Sequence, residues 1–555
     1  LAENIPYAKT VQLEFEGEKS VNVRQGRFWE IGNCVSKETL IQTSPSDYKP
    51  AEKIEVGDTV VSHDGLTHKV LKVYKRELLE GEMVYDLYLS SSSDNITVTE
   101  GHPVLVYSAK TCQRNKNNKC KPMRKVKKCF DCSYYKDNVR DSISWKAVED
   151  VEPGDFLAIA INKISKDINQ IRITDYINKD ERHIYLDRNG LVEDNHKNSH
   201  SKYYVQRKPV VKNTIDIDYD LGWVFGYFFA EGNLVFSKSE TELSANLIET
   251  VSSINEGHFC EKFSSLVNKK FGITPKISVK KQSGKNNTLR TRCYSTILAK
   301  LFYEILYKDG DKYIPDYFFS FGEEFVIGFL HGMFDGDGTK HNKNSFSIKS
   351  SRKQQAVTVQ KMFIALGLNS SITVEKSHNP NHKDVYMISF NGFQNGAFLE
   401  YFHSEKTGEI KSNKNLNSCS FFYNGLYFSL VRKKHLSEYS EDVYDFEVED
   451  SHTFTTQDGV ILHNSPYMGG KVVYSRPHLL YLAGTDWQYT DALWGSEKEY
   501  WQYKSYLPTP ENMFGLRKLQ NPYYFEERNQ YMRPYPATGQ SDITDFPIIG
   551  NLLQP

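Results

Sequence analysis

The chain has 555 residues, 69 Lys and Arg against 70 Asp and Glu for a formal charge of -1, and 39% hydrophobic content. At roughly 150 residues per domain that length excludes a single core. The mean hydropathy is -0.56, and the longest apolar run, Leu221–Ala230, covers about half of the roughly 20 residues a bilayer span needs, so no membrane helix is expected. Charge balance leaves nucleic-acid binding to local basic patches. Eight cysteines are too sparse for a secreted disulfide scaffold, which points to a reducing, cytoplasmic setting.

The N-terminus begins Leu1-Ala2-Glu3, with neither an initiator Met nor a basic-then-apolar signal, the pattern expected of a fragment of a longer product. Further along, Gly32-Asn33-Cys34-Val35-Ser36 places a thiol directly after an Asn. An internal repeat follows. Ala51-Glu52-Lys53-Ile54-Glu55-Val56-Gly57-Asp58 and Val148-Glu149-Asp150-Val151-Glu152-Pro153-Gly154-Asp155 align at an offset of 97, each leading into an apolar run. Glycine supplies a positive φ and the run supplies a strand, so two related β halves are predicted.

Between the repeats, Lys110 to Arg140 carries eleven Lys or Arg against two acids, suited to phosphate contacts. It also holds Cys112, Cys120, Cys129 and Cys132. Cys129-x2-Cys132 has zinc-knuckle spacing while Cys112-x7-Cys120 is wider, so bound zinc and a plain solvated loop both stand. Residues 161–214 are polar and Asn/Lys-rich, suiting a linker or DNA-contacting arm.

Two apolar segments then end in acid-Gly: Leu221 through Glu231-Gly232, and Phe325 through Asp337-Gly338. Each suits a helix buried on all sides. Gly226 and Gly332 stand in register, permitting close backbone approach that brings Glu231 and Asp337 together as a hard-oxygen Mg²⁺ site. This resembles the paired LAGLIDADG motif of homing endonucleases, which implies metal-dependent cleavage of double-stranded DNA. Two departures exist: the first copy has Glu at the metal position, and Phe229 stands where the consensus has its first Asp. By the same resemblance Lys312, in Lys312-Tyr313-Ile314-Pro315, would lie near the cleaved phosphate; a surface lysine before a turn is the alternative. Leu366-Gly367-Leu368, after Val359-Gln360-Lys361-Met362-Phe363, resembles the helix that closes that domain.

Near the back, Val460-Ile461-Leu462-His463-Asn464-Ser465 complements Cys34. A thiol can attack the carbonyl before it to form a thioester, a hydroxyl can accept that acyl group, and an Asn amide can cyclise and cut the chain after itself. Cys34-Val35-Ser36, Thr99-Glu100-Gly101-His102, Val443 through Val448, His452-Thr453-Phe454 and His463-Asn464-Ser465 together resemble an intein, a self-splicing insert. The resemblance implies that Cys34 is the first nucleophile, that Thr99 and His102 act on the first scissile peptide, and that Asp445 assists transfer to Ser465. His452 and His463 would assist cyclisation of Asn464, leaving an Asn33–Ser465 peptide bond without any cofactor.

The expected architecture is therefore multidomain: a mostly-β horseshoe splicing (Hint) domain interrupted by an α/β LAGLIDADG endonuclease domain. Residues 1–33 and 465–555 would be the flanking exteins, 34–160 and 405–464 the splicing halves with the basic insertion at 110–140, and 215–404 the endonuclease. The expected partners are the flanks themselves and double-stranded DNA at the uninterrupted insertion site, approached by a monomer. An insert that splices but no longer cuts, and a DNA-binding structural protein, are the alternatives. The flank after Asn464 spaces Trp487, Trp494 and Trp501 by seven, a core stripe more than a binding platform.

Overall fold

The computed structural model describes residues 10–14, 20–24, 34–78, 81–116, 119–121, 129, 131–140, 142–177, 184–187, 190–193, 210–238, 243–280, 287–342, 345–377, 383–391, 419–451, 453–463, 467–468 and 471–472. The chain divides into two compact units, Leu1–Ile161 with Asn417–Pro555, and Asn162–Leu416. The flank tryptophans lie outside the described residues.

The first unit is built on a large antiparallel sheet of thirteen strands that curls toward a barrel. The path runs from Thr453–Thr455 to Thr59–Val61, and these two ends meet: the Thr455 hydroxyl donates to the Val61 carbonyl (3.0 Å). Such closure leaves few unpaired edges. The sequence repeat is a structural repeat. Short 3₁₀ turns at Ala51–Lys53 and Val148–Asp150 precede Gly57 (φ 93°) and Gly154 (φ 105°), which feed the strands Thr59–Val61 and Phe156–Ile159. The contacts repeat as well. Gly57 N donates to Val70 O and Gly154 N to Val431 O, at 2.9 and 3.0 Å, while Lys49 bonds Asp58 and Lys146 bonds Asp155, at 2.9 and 3.0 Å. A core of Leu105, Tyr107, Phe156, Phe421 and Phe428 lies beneath one half.

The basic insertion leaves this sheet between Pro103–Tyr107 and Ile143–Ala147, which pair antiparallel, and contains helix α1 (Ser133–Arg140).

The second unit holds two copies of one arrangement. Helix α2 (Tyr219–Glu231) runs into strands Gly232–Lys238 and Leu243–Ser253, followed by α3 (Gly257–Phe271), strands Lys276–Lys280 and Thr288–Cys293, and α4 (Thr296–Leu306). Helix α5 (Glu323–Asp337) repeats the pattern through Gly338–Asn342, Ser345–Ser350, α6 (Lys353–Ala365), Asn369–Glu375 and Val385–Asn391. Each copy forms a four-stranded antiparallel sheet whose third and fourth strands in space are the fourth and third in sequence. Leu366-Gly367-Leu368 ends α6, with Gly367 at φ 78° and both leucines buried.

Helices α2 and α5 pack along their length. Buried residues surround α2 because both flanks are occupied, which is why its apolar pattern shows no polar stripe. A Cβ on Gly226 would overlap the Phe329 carbonyl, and one on Gly332 would overlap the Trp223 carbonyl. Only glycine permits that approach.

One expectation is corrected. The described parts of 161–214 are not a linker: Ile171, Ile173, Ile177, Leu191 and Val211 are buried in the core of the second unit, and Gln170–Arg172 pairs with Thr214–Asp216. The apolar residues are few and spaced by polar ones, but a short edge strand needs only one buried face. The second compact unit therefore takes in these residues, beginning at Asn162.

Gly226→Ala should lower the unfolding transition of the second unit by roughly 2 kcal/mol, since the neighbour is backbone and cannot rotate away. Differential scanning calorimetry of the full chain would show this transition moved and the other in place; an unmoved pair would contradict the close packing.

Candidate functional site

Two sites emerge, one in each unit. In the first, Cys34 is buried at the start of the strand Val35–Ser36, and Thr99 grips it from the neighbouring strand. The Thr99 hydroxyl accepts from Cys34 N (2.9 Å) and donates to Cys34 O (3.2 Å), and Thr99 N also donates to Cys34 O (2.9 Å). Both peptide groups of the cysteine are thus fixed by one residue. A tight turn, His102 N to Thr99 O (3.1 Å), then carries His102 into full burial, edge-on to Phe454 at 6.2 Å.

Asp445 arrives on the other side of Cys34, because Tyr444 pairs with Val35. It is fully buried and Phe446 N donates to its Oδ1 (2.9 Å). His463 ends the strand Ile461–His463, whose Leu462 pairs with Val104; its ring stands perpendicular to Trp145 at 5.1 Å. The sheet thus brings Thr99 and Asp445 to Cys34 from its two neighbouring strands, and carries His102 and His463 as buried residues at strand ends. His452, Asn464, Ser465 and Asn33 lie outside the described residues.

Burial pushes the Cys34 thiol far above the ordinary cysteine range; Arg76 pulls it down and Asp445 pushes it further up. Arg76 was not singled out in the sequence. It bonds Cys34 by its side chain and holds Glu82 in a fork, at 2.7 and 2.8 Å. Nothing in a lysine- and glutamate-rich stretch distinguishes this pair from surface charge.

The second site lies at the paired ends of α2 and α5. Asp337 is exposed and Glu231 partly so. Lys312 lies within electrostatic reach of both, its ammonium turned inward to donate to the carbonyls of Phe228 (3.1 Å) and Phe229 (2.7 Å) in the last turn of α2. The Phe228 carbonyl also accepts from Gly232 N at the helix C-cap, and a cation at this end suits the helix dipole. Burial lowers the Lys312 pKa to about 8, against the opposing pull of Asp337 and Glu231. The lysine ammonium is therefore held against the helix end rather than turned out to solvent.

The copies differ within the helix pair. Asp335, in the second copy, is buried and accepts from Trp223 Nε1 (2.8 Å), with His331 3.5 Å away and Lys262 stacked on the Trp223 ring at 4.1 Å. Phe229, its counterpart, packs against Phe329. A carboxylate from one copy thus satisfies an indole from the other.

Glu231 and Asp337 end the two packed helices and reach solvent, and carboxylates of this kind suit a divalent cation whose other ligands are water and phosphate. Among the described residues no group of three or more His, Cys, Asp and Glu side chains stands ready as a metal cage. The four insertion cysteines nonetheless lie in one patch, with Cys120 buried and Cys112, Cys129 and Cys132 packed against the same cluster. No helix among the described residues is long and apolar enough to cross a membrane.

Residues 324–407 match the family model of a LAGLIDADG-like domain. An uncharacterized protein of Methanocaldococcus jannaschii is 23% identical over 487 residues, 81% of this chain and 54% of that protein. An iron-sulfur cluster assembly SufBD family protein of Mycobacterium tuberculosis is 20% identical over 456 residues, 78% of this chain and 43% of that one. A DNA polymerase of Thermococcus hydrothermalis is 26% identical over 178 residues, 28% of this chain and 10% of the polymerase. The chain spans about half the length of the first of these relatives. Among solved structures, I-DmoI in complex with DNA and Mn is similar at a TM-score of 0.27 and 16% identity, over 35% of this chain and 99% of that one.

Native Lys312 titrates near 8 and an unfolded lysine near 10.5, so between those values the unfolded chain binds more protons and stability rises with pH. Urea unfolding of this unit at pH 7 and pH 10 should show the wild type gaining roughly 2–3 kcal/mol on Lys312→Met. Parallel pH profiles would contradict the burial of the ammonium. The chain carries a LAGLIDADG-like domain.

Proposed function

We propose that the chain is a self-splicing insert that also cuts DNA: it excises residues 34–464, joins Asn33 to Ser465, and cleaves double-stranded DNA at the uninterrupted insertion site. The gathering of Cys34, Thr99, His102, Asp445 and His463 from strands on both sides of the second unit's sequence carries this reading. The relatives support it. Proteins named for iron-sulfur assembly and for DNA polymerisation match only part of their own lengths, as a segment shared between unrelated hosts would.

In the first step Cys34 Sγ attacks the Asn33 carbonyl carbon, the C–N bond breaks and a thioester forms while the Cys34 amine takes a proton. The Thr99 clamp holds that amide rigidly, and His102 lies one turn away to protonate the leaving nitrogen. The buried thiol is a weak nucleophile at rest, so its proton must leave as attack begins; Asp445 is a buried carboxylate close enough to act on it, and would receive that proton while Arg76 stabilises the thiolate. Ser465 Oγ then displaces the thioester sulfur. The Asn464 side-chain amide closes on its own carbonyl, which releases the insert, and an ester-to-amide shift completes the new peptide bond.

For the DNA reaction Glu231 and Asp337 would hold a divalent cation, which when bound supplies charge stabilisation to the leaving oxygen. Lys312 meets the phosphate between them. With a pKa near 8 it can hold or release a proton at neutral pH, and phosphate charge favours the ammonium. The all-exposed strand Lys276–Lys280, together with Arg290 and Arg292 braced on Glu249, offers a basic sheet surface to the backbone of the duplex.

Insertion at Asn33/Ser465 would split the DNA target and protect the host gene, so the preferred site should straddle those two codons. Glu231→Gln or Asp337→Asn should slow cleavage of a plasmid bearing that junction by roughly 100-fold or more while excision of 34–464 proceeds at the wild-type rate. Loss of both activities together would contradict two separate sites. Thr99→Ala should slow thioester formation roughly tenfold or more, read as reduced N-terminal cleavage by added thiol; an unchanged rate would remove the clamp from the mechanism.

A further inference from the structure

The insertion between Tyr107 and Ile143 serves neither site described above. Its described backbone is a pair of knuckles. The first is a narrow hairpin in which Thr111 bridges Lys119 and Cys120 N donates to Lys110 O (2.8 Å). In that register the even-numbered residues share a face, so Cys112 and Cys120 project to the same side. The second is the turn closed by Cys132 N on Cys129 O (3.1 Å), immediately before α1.

Both knuckles turn toward one small cluster. Cys120, Tyr135 and Val139 are buried there, and the other three cysteines pack against them. Tyrosine hydroxyls pin the backbone around it: Tyr107 donates to Cys120 O (2.8 Å), Tyr135 to Lys121 O (3.0 Å) and Tyr134 to Thr111 O (3.2 Å). Among the described residues this cluster holds only three buried hydrophobic side chains, and segments below about 40 residues usually need a disulfide or a metal. All four cysteines are free thiols.

We propose that Cys112, Cys120, Cys129 and Cys132 bind one Zn²⁺ as a structural tetrathiolate that holds the basic insertion in its fold. The four thiols already share one patch, and a metal would draw them to about 2.3 Å from a common centre. Each loses its proton on binding, so assembly releases up to four protons and strengthens as pH rises. Zinc would thereby fix the fold of an insertion whose sequence carries eleven Lys and Arg.

The test uses the full 555-residue chain carrying Cys34→Ala, so that it stays intact, purified reduced and without chelator. Elemental analysis should find about one zinc per chain, lost in Cys112→Ser/Cys120→Ser and in Cys129→Ser/Cys132→Ser, and kept in Cys419→Ser. Co²⁺ added to the chelator-stripped chain should give the intense visible bands of a tetrahedral tetrathiolate, displaced by Zn²⁺; this readout holds even if the double variants fold poorly. Zinc retained in both double variants, or a reduced, folded chain with neither bound zinc nor the cobalt spectrum, would overturn the assignment.

Discussion

The pairing of Phe156–Ile159 with the strand that begins at Leu426 is the constraint on which the first unit depends. Four residue pairs, Phe156 with Leu430 through Ile159 with Tyr427, join strands separated in sequence by the whole of the second unit. Because the chain leaves and returns on neighbouring strands of one sheet, a domain inserted there need not disturb the sheet. Loop-closure cost grows only slowly with the length of the insertion. The returning segment also carries Asp445, whose strand pairs with the strand that follows Cys34.

Duplication organises both units. In the first, Gly57 and Gly154 turn two copies of one hairpin element, and each glycine's amide bonds a strand of the opposite end of the sequence or of the hairpin next to it. In the second, α2 and α5 cross backbone to backbone at Gly226 and Gly332, and that contact places Glu231 beside Asp337. The two devices differ physically. A sheet gathers its site through register, whereas a helix pair gathers its site through the absence of side chains at the crossing.

Much of this was legible in the residues. The repeat could be read because a positive-φ glycine before an apolar run is a strong local constraint, and the helix pair because apolar segments with glycine in register have few other folds. The harder features were pairings between residues that are ordinary alone. Arg76 and Glu82 look like surface charge until burial beside Cys34 is known. Lys312 looks like a turn lysine until its ammonium is found on the α2 carbonyls. Ile171, Ile173 and Ile177 were hidden in a polar stretch, since one buried face per short strand leaves composition nearly unchanged. Asp335 bonding Trp223 depends on which helix face meets which, and no spacing within one segment encodes that.

The central claim is that the first unit breaks and remakes its own backbone at Cys34 and Ser465. Intact-mass spectrometry of the unmodified chain, expressed in a reducing cytosol and sampled over time, tests it directly. The account predicts a free segment Cys34–Asn464 together with a joined product of residues 1–33 and 465–555, both absent from Cys34→Ala. Persistence of the full-length mass alone, identical in the wild type and in Cys34→Ala, would contradict it.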